Sequence, residues 1–433
     1  MGRSTFTRIR WRILAFMFGF AFLSYLQRSS LSVAAGHIMP DLHLSKTQIG
    51  MLMWAFTVVY TFAQLPGGII GQRFGARRIY FVVGLVGCAA SIATPLAPMV
   101  VGGLALFLVL LAAQSVLGAS QGPVFPAFSG VVANWFPERQ WSLAQGLQTA
   151  GMNIGAAVAP PLIVALERGF DWQGALVCVG LPGLLLAAAW LWYGRNRPAE
   201  HPAVSSEELA ELGETRTLVI QPLTAARLRA VLADRNVLLL TISYMCMNYL
   251  FYLLQNYSFL YLTEERHFAG MQAGWLGMLP PVGAGVGSFL GGVLGDRYAQ
   301  RYGARRGYRI VPLLTLPAAG ALLLLANYTT GPYLAVAALT LAYFSVEATE
   351  APYWAATMCV AREESMAAAG VLNTGGNLGG VIGIPIITWF WAAGHWTAAF
   401  ATGTAFAVVA TAAWLLIDPE RRIGSVQRTS QEQ

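Results

Sequence analysis

Three side chains could bind or move charge from within apolar surroundings. Arg28 is the only formal charge between Ile13 and Ile38. Glu347 and Glu350 stand three apart in another apolar stretch, Phe344-Ser345-Val346-Glu347-Ala348-Thr349-Glu350-Ala351-Pro352-Tyr353-Trp354. A guanidinium at mid-bilayer depth costs at least ~2.5–3.5 kcal/mol on insertion scales. It stays charged at any working pH, and its forked donors suit a carboxylate or phosphate. Residues at i and i+3 share one helix face, and two carboxylates there raise each other's affinity for a proton and titrate as a pair. The expected chemistry is anion binding at Arg28 and proton coupling or gating at Glu347 and Glu350. A structural ion pair between Arg28 and one acid is the plainer alternative.

These residues need a membrane-spanning scaffold. Of 433 residues, 56% are hydrophobic and 11% charged, against about 25% charged in soluble domains. Twelve apolar segments are long enough to cross the ~30 Å hydrocarbon core, at about 13–37, 47–70, 79–97, 100–127, 143–166, 174–193, 237–262, 271–294, 310–328, 333–358, 366–390 and 395–417. The basic start (Arg3, Arg8, Arg10, Arg12) leads into a spanning segment rather than the short apolar region of a cleavable signal. With the N-terminus placed inside, the inner connections and both termini hold 23 of the 27 basic residues. Only Lys46, Arg168 and Arg266 fall outside, with Arg28 inside the membrane. This is the positive-inside pattern, and it accounts for the net charge of +7 without nucleic acid. The expected location is a bacterial-type inner membrane, with lipid as the surrounding partner and a monomer as the unit.

Cys88, Cys178, Cys246 and Cys359 lie in apolar segments without paired spacing and read as small core residues. His37, His43, His201, His267 and His395 show no metal-ligand spacing and read as surface residues, so neither metal nor cofactor is expected. No phosphate-cradling glycine loop with a following Lys-Ser/Thr is present to couple nucleotide hydrolysis. The one long polar stretch, 195–236, reads as a solvated linker between an N-terminal half (1–194) and a C-terminal half (237–433). It contains a short helix, Ser205 to Leu212, opened by a capping box of Ser205 and Glu208.

The halves repeat each other at an offset of 224. Gly67-Gly68-Ile69-Ile70-Gly71-Gln72-Arg73 returns as Gly291-Gly292-Val293-Leu294-Gly295-Asp296-Arg297; Gly151, Asn153 and Gly155 return as Gly375, Asn377 and Gly379; Tyr25-Leu26 returns as Tyr249-Leu250. Parallel repeats of this kind describe transporter halves that rock about a central site. Small residues on the fifth and eleventh helices permit close crossing. Gln148, Asn153, Asn373 and Asn377 need partners, either across helices or in a cavity. Tyr25, Tyr60, Tyr249, Tyr252, Tyr257, Tyr353 and Trp354 supply aromatic wall.

Several stretches resemble the major facilitator superfamily, and within it the anion:cation symporters that carry sugar acids and organic anions. They are Gly71-Gln72-Arg73-Phe74-Gly75-Ala76-Arg77-Arg78, the preceding Gln64-Leu65-Pro66-Gly67-Gly68, Gly122-Pro123-Val124-Phe125-Pro126, Asn134-Trp135-Phe136-Pro137-Glu138-Arg139 and Asn373-Thr374-Gly375-Gly376-Asn377-Leu378-Gly379-Gly380. The resemblance implies an all-α fold of twelve transmembrane helices in two pseudo-symmetric six-helix halves. It also implies a gating clamp at Gly71, Arg73, Gly75, Arg77 and Arg78, repeated at Asp296 and Arg297, and a place for Asn377 near the solute. Gln72 stands where the clamp usually has an acid, so the C-terminal clamp is expected to keep its ion pair and the N-terminal one to be weaker. Gln27 and Gln121 stand where related proton-coupled carriers commonly have Asp and Glu, and Gln114 where an Arg often sits. A glutamine cannot exchange a proton, so the family's N-terminal proton sites are missing, while Glu350-Ala351-Pro352 is the counterpart of Gln121-Gly122-Pro123.

The expected function is secondary active transport of a small polar solute, most simply an organic anion, by alternating access. The solute contacts are Tyr25, Gln27, Arg28, Tyr60, Gln121, Gln148, Tyr249, Trp354, Asn373 and Asn377, and the proton-coupling residues Glu347 and Glu350. Two alternatives are a carrier or exporter of a cationic or zwitterionic solute, and a non-transporting receptor or scaffold. No nucleophile–base pair points to an enzyme.

Overall fold

The computed structural model describes residues 8–136, 141–212, 225–361, 365–421 and 423, with no strand among them. The first repeat forms α1 (Ile9–Asp41), α2 (Lys46–Phe74), α3 (Ala76–Leu96), α4 (Gly103–Gln121), α5 (Val124–Trp135), α6 (Trp141–Leu166), α7 (Trp172–Gly180) and α8 (Pro182–Tyr193). The connecting stretch carries α9 (Ser206–Leu212) and α10 (Ala225–Ala233). The second repeat forms α11 (Arg235–Glu264), α12 (Gly270–Gly277), α13 (Leu279–Tyr302), α14 (Ala304–Tyr328), α15 (Pro332–Glu347), α16 (Glu350–Ala361), α17 (Ser365–Ala392) and α18 (Trp396–Leu416). Each of the twelve apolar segments coincides with a helix or a collinear pair, and eleven stretches among the described residues are long and apolar enough to span a bilayer.

Among the described residues four segments are broken, and a proline stands at each break: Pro123 between α4 and α5, Pro182 as the first residue of α8, Pro280 as the second of α13 and Pro352 as the third of α16. Proline removes one ladder donor, and its ring crowds the carbonyl four residues back. Within a membrane the freed groups must meet other protein. Elsewhere the glycines expected to allow close crossing do so. A Cβ on Gly155 would fall 2.2 Å from the Phe22 carbonyl oxygen of α1, and one on Gly379 would fall 2.1 Å from the Met245 carbonyl oxygen of α11. Apolar side chains gain little by leaving lipid for each other, so backbone proximity of this kind drives much of the helix association.

The chain divides into two compact units, residues 1–44 with 51–220, and residues 45–50 with 221–433. In the second, the Lys46 ammonium meets the Glu264 carboxylate and lies 5.3 Å from the centre of the Trp391 ring. The first unit has an aromatic core of Phe20, Tyr80, Trp135, Phe136 and Trp190 at the start of α1, where the Tyr80 hydroxyl donates to the Val124 carbonyl at 2.7 Å.

The linker departs from the solvated stretch expected of it. Glu208 is only 3% exposed and Arg10, which it faces, is 0% exposed. Ser205 Oγ does accept from the Glu208 N–H at 3.2 Å, but the carboxylate does not turn back to complete the capping box. It accepts instead from the N–H groups of Ile9 and Arg10, at 3.2 and 3.1 Å, with Arg10 Nε at 3.4 Å. The linker thus supplies the cap that the first turn of α1 lacks locally. His201 is likewise not a surface residue: it is 7% exposed, 4.8 Å from the Tyr193 ring and 6.1 Å from Trp135. Residues 213–224 of the linker, like Arg139, Arg362, Arg422 and Arg428, lie outside the described residues.

Candidate functional site

Arg28 sits three turns before the end of α1 with its guanidinium carbon 5.4 Å from the Tyr25 ring, 5.3 Å from Phe56 and 5.4 Å from Tyr60. Phe56 and Tyr60 are one turn apart on α2 and stack at 5.8 Å, and Tyr25 is braced edge-on by Phe125 of α5. Ring faces attract a cation without neutralising it, and the forked donors of a guanidinium match an anion in geometry. Phe56 was not foreseen; its signal was the four-residue spacing from Tyr60.

The three glutamines Gln27, Gln114 and Gln121 are bonded to neutral side chains. Gln121, the last residue of α4, donates from Nε2 to Gln27 Oε1 at 3.3 Å, and Gln114 Nε2 donates to Thr94 Oγ1 at 3.4 Å. Gln27, Ser30, Ser91, Thr94 and Gln114 line a cavity of about 10 Å³, room for roughly one water. Gln148 on α6 is 2% exposed, and its Nε2 has no hydrogen-bond partner among the described residues. A buried unsatisfied amide costs about 1–3 kcal/mol, which makes this donor a place for a ligand acceptor.

In the second unit the two carboxylates flank the break between α15 and α16. Glu350 opens α16; one of its oxygens accepts from the Tyr244 hydroxyl and from Trp354 Nε1, both at 2.8 Å. Glu347 closes α15, is 3% exposed, and its Oε2 has no hydrogen-bond partner among the described residues. Tyr244 was missed by the sequence reading: its counterpart at the repeat offset is Phe20, so the symmetry that favoured other tyrosines concealed it. Asn377 accepts from the Tyr252 hydroxyl at 2.8 Å and donates to the Asn373 carbonyl at 2.9 Å and to its side-chain oxygen at 3.3 Å. Tyr249 is packed differently from Tyr25. Its hydroxyl shares a 2.8 Å hydrogen bond with Thr402, and its ring stacks on Phe406 at 4.1 Å.

The clamp motif is built twice. Gly75 has φ +80° and Gly303 has φ +82°, a region that favours glycine. After Gly75, the Arg77 N–H donates to Asn196 Oδ1 at 2.9 Å and its guanidinium to the Leu191 carbonyl, while Trp190 Nε1 donates back to the Arg77 carbonyl at 3.1 Å. After Gly303, the Arg305 N–H donates to Glu420 Oε1 at 3.1 Å, its guanidinium lies 3.5 Å from Asp418, and Arg309 binds the carbonyls of Trp414 and Leu415. Asn196 and Glu420 are 224 apart. The charged cap therefore does belong to the second clamp, but it is drawn from residues 418–420; Asp296 and Arg297 are exposed, and Asp296 neighbours Tyr308. Arg78 is exposed, and the side chains of Gly71, Gln72 and Arg73 lie outside the described residues.

A repeated bundle of broken apolar helices, with one caged cation and two intramembrane acids, defines a solute transporter rather than an enzyme. The chain belongs to the Major Facilitator Superfamily, whose profile matches residues 17–358 and 256–433. It is 28% identical over 394 residues to the hexuronate transporter of Bacillus subtilis, covering 89% of this chain and 88% of that one. It is 25% identical over 433 residues to the D-galactonate transporter of Escherichia coli O6:H1, covering 97% of both. Among solved structures, a bacterial homologue of the human lysosomal transporter Spinster, inward-facing and unoccupied, matches with TM-score 0.73 at 16% identity over 96% of this chain and 98% of that one, a likeness of fold.

Proposed function

We propose that this protein carries a small organic acid across a bacterial inner membrane by alternating access, binding the solute's anionic group at Arg28 and coupling its movement to protons through Glu347 and Glu350. The observation that carries the reading is the caging of Arg28 by three aromatic rings with neutral glutamines beside it. A permanent cation inside an apolar bundle, with a forked set of donors, suits an anionic group on the solute. The relatives that transport sugar acids favour a carboxylate. Within the first unit, Tyr25, Tyr60 and Gln148 with its open donor complete the proposed contacts, and the Gln27–Gln121 pair keeps the surroundings neutral. The distribution of arginines supports a cytoplasmic position for both termini. The protein acts as a monomer, with lipid around it and no cofactor.

The test is counterflow in proteoliposomes with D-galactonate, a hexuronate, sulfoacetate and a set of aliphatic amines, on the wild type and on Arg28→Lys. An acid should exchange, and Arg28→Lys should lose it, because an ammonium cannot reproduce the planar fork. Exchange of amines alone would establish the cationic alternative, with the carboxylates of the second unit as the binding groups. Solute binding without flux would establish a receptor.

A further inference from the structure

Resting on the proton-coupling reading above, we infer that the two intramembrane carboxylates have fixed and different roles: Glu347 is the member that holds the exchangeable proton, and Glu350 stays ionised as the electrostatic keystone of the helix break.

The break itself sorts them. Pro352, the third residue of α16, cannot continue the ladder of α15, so the chain turns at Ala348 and Thr349; Thr349 Oγ1 donates back to the Val346 carbonyl at 2.7 Å. This leaves Glu347 at the carbonyl end of one helix and Glu350 at the amide end of the next. A negative charge is disfavoured at the first position and favoured at the second. The donors are distributed in the same sense. Glu350 has the Tyr244 hydroxyl and the Trp354 indole on one oxygen at 2.8 Å each, and hydrogen bonds to an ionised acceptor are the strong ones. Glu347 Oε2 is sealed with no donor to receive, and an ionised carboxylate left so is far costlier than a neutral acid. Where environments drive two acids apart in this way, they mark which one carries the proton.

The surroundings contribute no compensating cation among the described residues. The ionisable groups that act on or feel Glu347 are Glu350 on its own segment and Tyr244 on α11, and Tyr353 in turn feels Glu350. Helix α13 brings glycine: a Cβ on Gly291 would fall 1.9 Å from the Ala348 carbonyl oxygen, and one on Gly287 would fall 2.1 Å from the Phe344 carbonyl oxygen. Helix α17 has no ionisable residue, and the arginines at the start of α14 are engaged with Trp414, Leu415, Asp418 and Glu420. The step is a simple exchange: a proton from water forms the O–H bond of Glu347, and the same bond breaks when the proton is returned to water.

Infrared difference spectroscopy of the reconstituted protein tests the assignment without any solute. Between about pH 6 and 9, exposed carboxylates near pKa 4 are already ionised, so a neutral-acid carbonyl band that titrates there reports a buried acid. The band should vanish in Glu347→Gln, move in frequency in Glu347→Asp, and persist in Glu350→Gln. Thermal unfolding of each variant guards against misfolding, and the Asp variant keeps the test alive if the Gln variant does not fold. A band lost in Glu350→Gln but kept in Glu347→Gln, a band lost in both, or no band in the wild type overturns the division of roles. If the band belongs to Glu347 but uptake of D-galactonate and the other probe acids is independent of pH, the coupling reading falls while the division stands.

Discussion

Both repeats break a helix beside matching motifs, Gln121-Gly122-Pro123 and Glu350-Ala351-Pro352, but one presents a neutral amide there and the other a carboxylate. In the first, the residue before Gly122-Pro123 is Gln121, whose amide is tied to Gln27. In the second, the residue before Ala351-Pro352 is Glu350, tied to a phenol and an indole. The first unit has a permanent cation ringed by aromatics and amides, and the second has two acids. A scaffold duplicated from one ancestor pattern has therefore separated its tasks: on the proposed reading, one repeat recognises and the other titrates. The helix starts differ too. Helix α11 is capped by its own preceding residue, Asp234, which accepts from the N–H groups of Asn236 and Val237 at 2.9 and 3.1 Å. Helix α1 is capped by Glu208, nearly two hundred residues away.

The contrast in caps makes the largest stability prediction. Glu208→Ala removes the buried carboxylate that caps α1 and faces Arg10 and should cost about 3–5 kcal/mol, whereas Asp234→Ala should cost about 1 kcal/mol. Chemical denaturation of both in detergent checks the ratio, and equal losses would mean that the linker contact is incidental. Next, Arg28→Ala should weaken binding of the transported acid about 100-fold, from the loss of a charge-assisted hydrogen bond, measured by titration calorimetry; unchanged affinity would remove Arg28 from the site. Restoring an acid to the first repeat sharpens the comparison. Gln121→Glu should make anion affinity fall about tenfold as pH rises and the new carboxylate ionises near Arg28. A flat profile would show that the two positions do not share a field.

The smallest effect concerns the linker. Burial, with Arg195 nearby, holds the His201 imidazole below its ordinary value of 6.5. The undocked linker therefore takes up a proton that the docked one resists. Docking is at full strength above about pH 6.5 and weakens as pH falls toward the lowered value. Limited proteolysis within 201–212 should run a few-fold faster at about pH 5.5 than at pH 7.5, and His201→Phe should erase the difference.

Much of this architecture was legible from sequence because its causes are local or repetitive. Apolar length marked the spans, and the offset of 224 matched Gly67 to Gly291 and Asn153 to Asn377. Arg28, the one formal charge between Ile13 and Ile38, announced itself by its cost. What stayed hidden depends on distant residues meeting. The Ser205–Glu208 spacing reads as a self-contained cap, and nothing in it reveals that the carboxylate turns to Ile9 and Arg10. Tyr244 escaped because repeat symmetry directs attention to positions the halves share, whereas the second repeat's chemistry lies where they differ. The second clamp's charge moved from Asp296 to Glu420 for a related reason: four extra residues in that loop shift which arginine meets which carbonyl.

The remote cap on α1 also dictates where this polypeptide can be cut. A two-piece version, or an insertion of a reporter domain, that breaks the chain before residue 201 would detach the piece that closes the first helix. A break placed after Leu212 leaves His201, Ser205 and Glu208 with the partner they already hold.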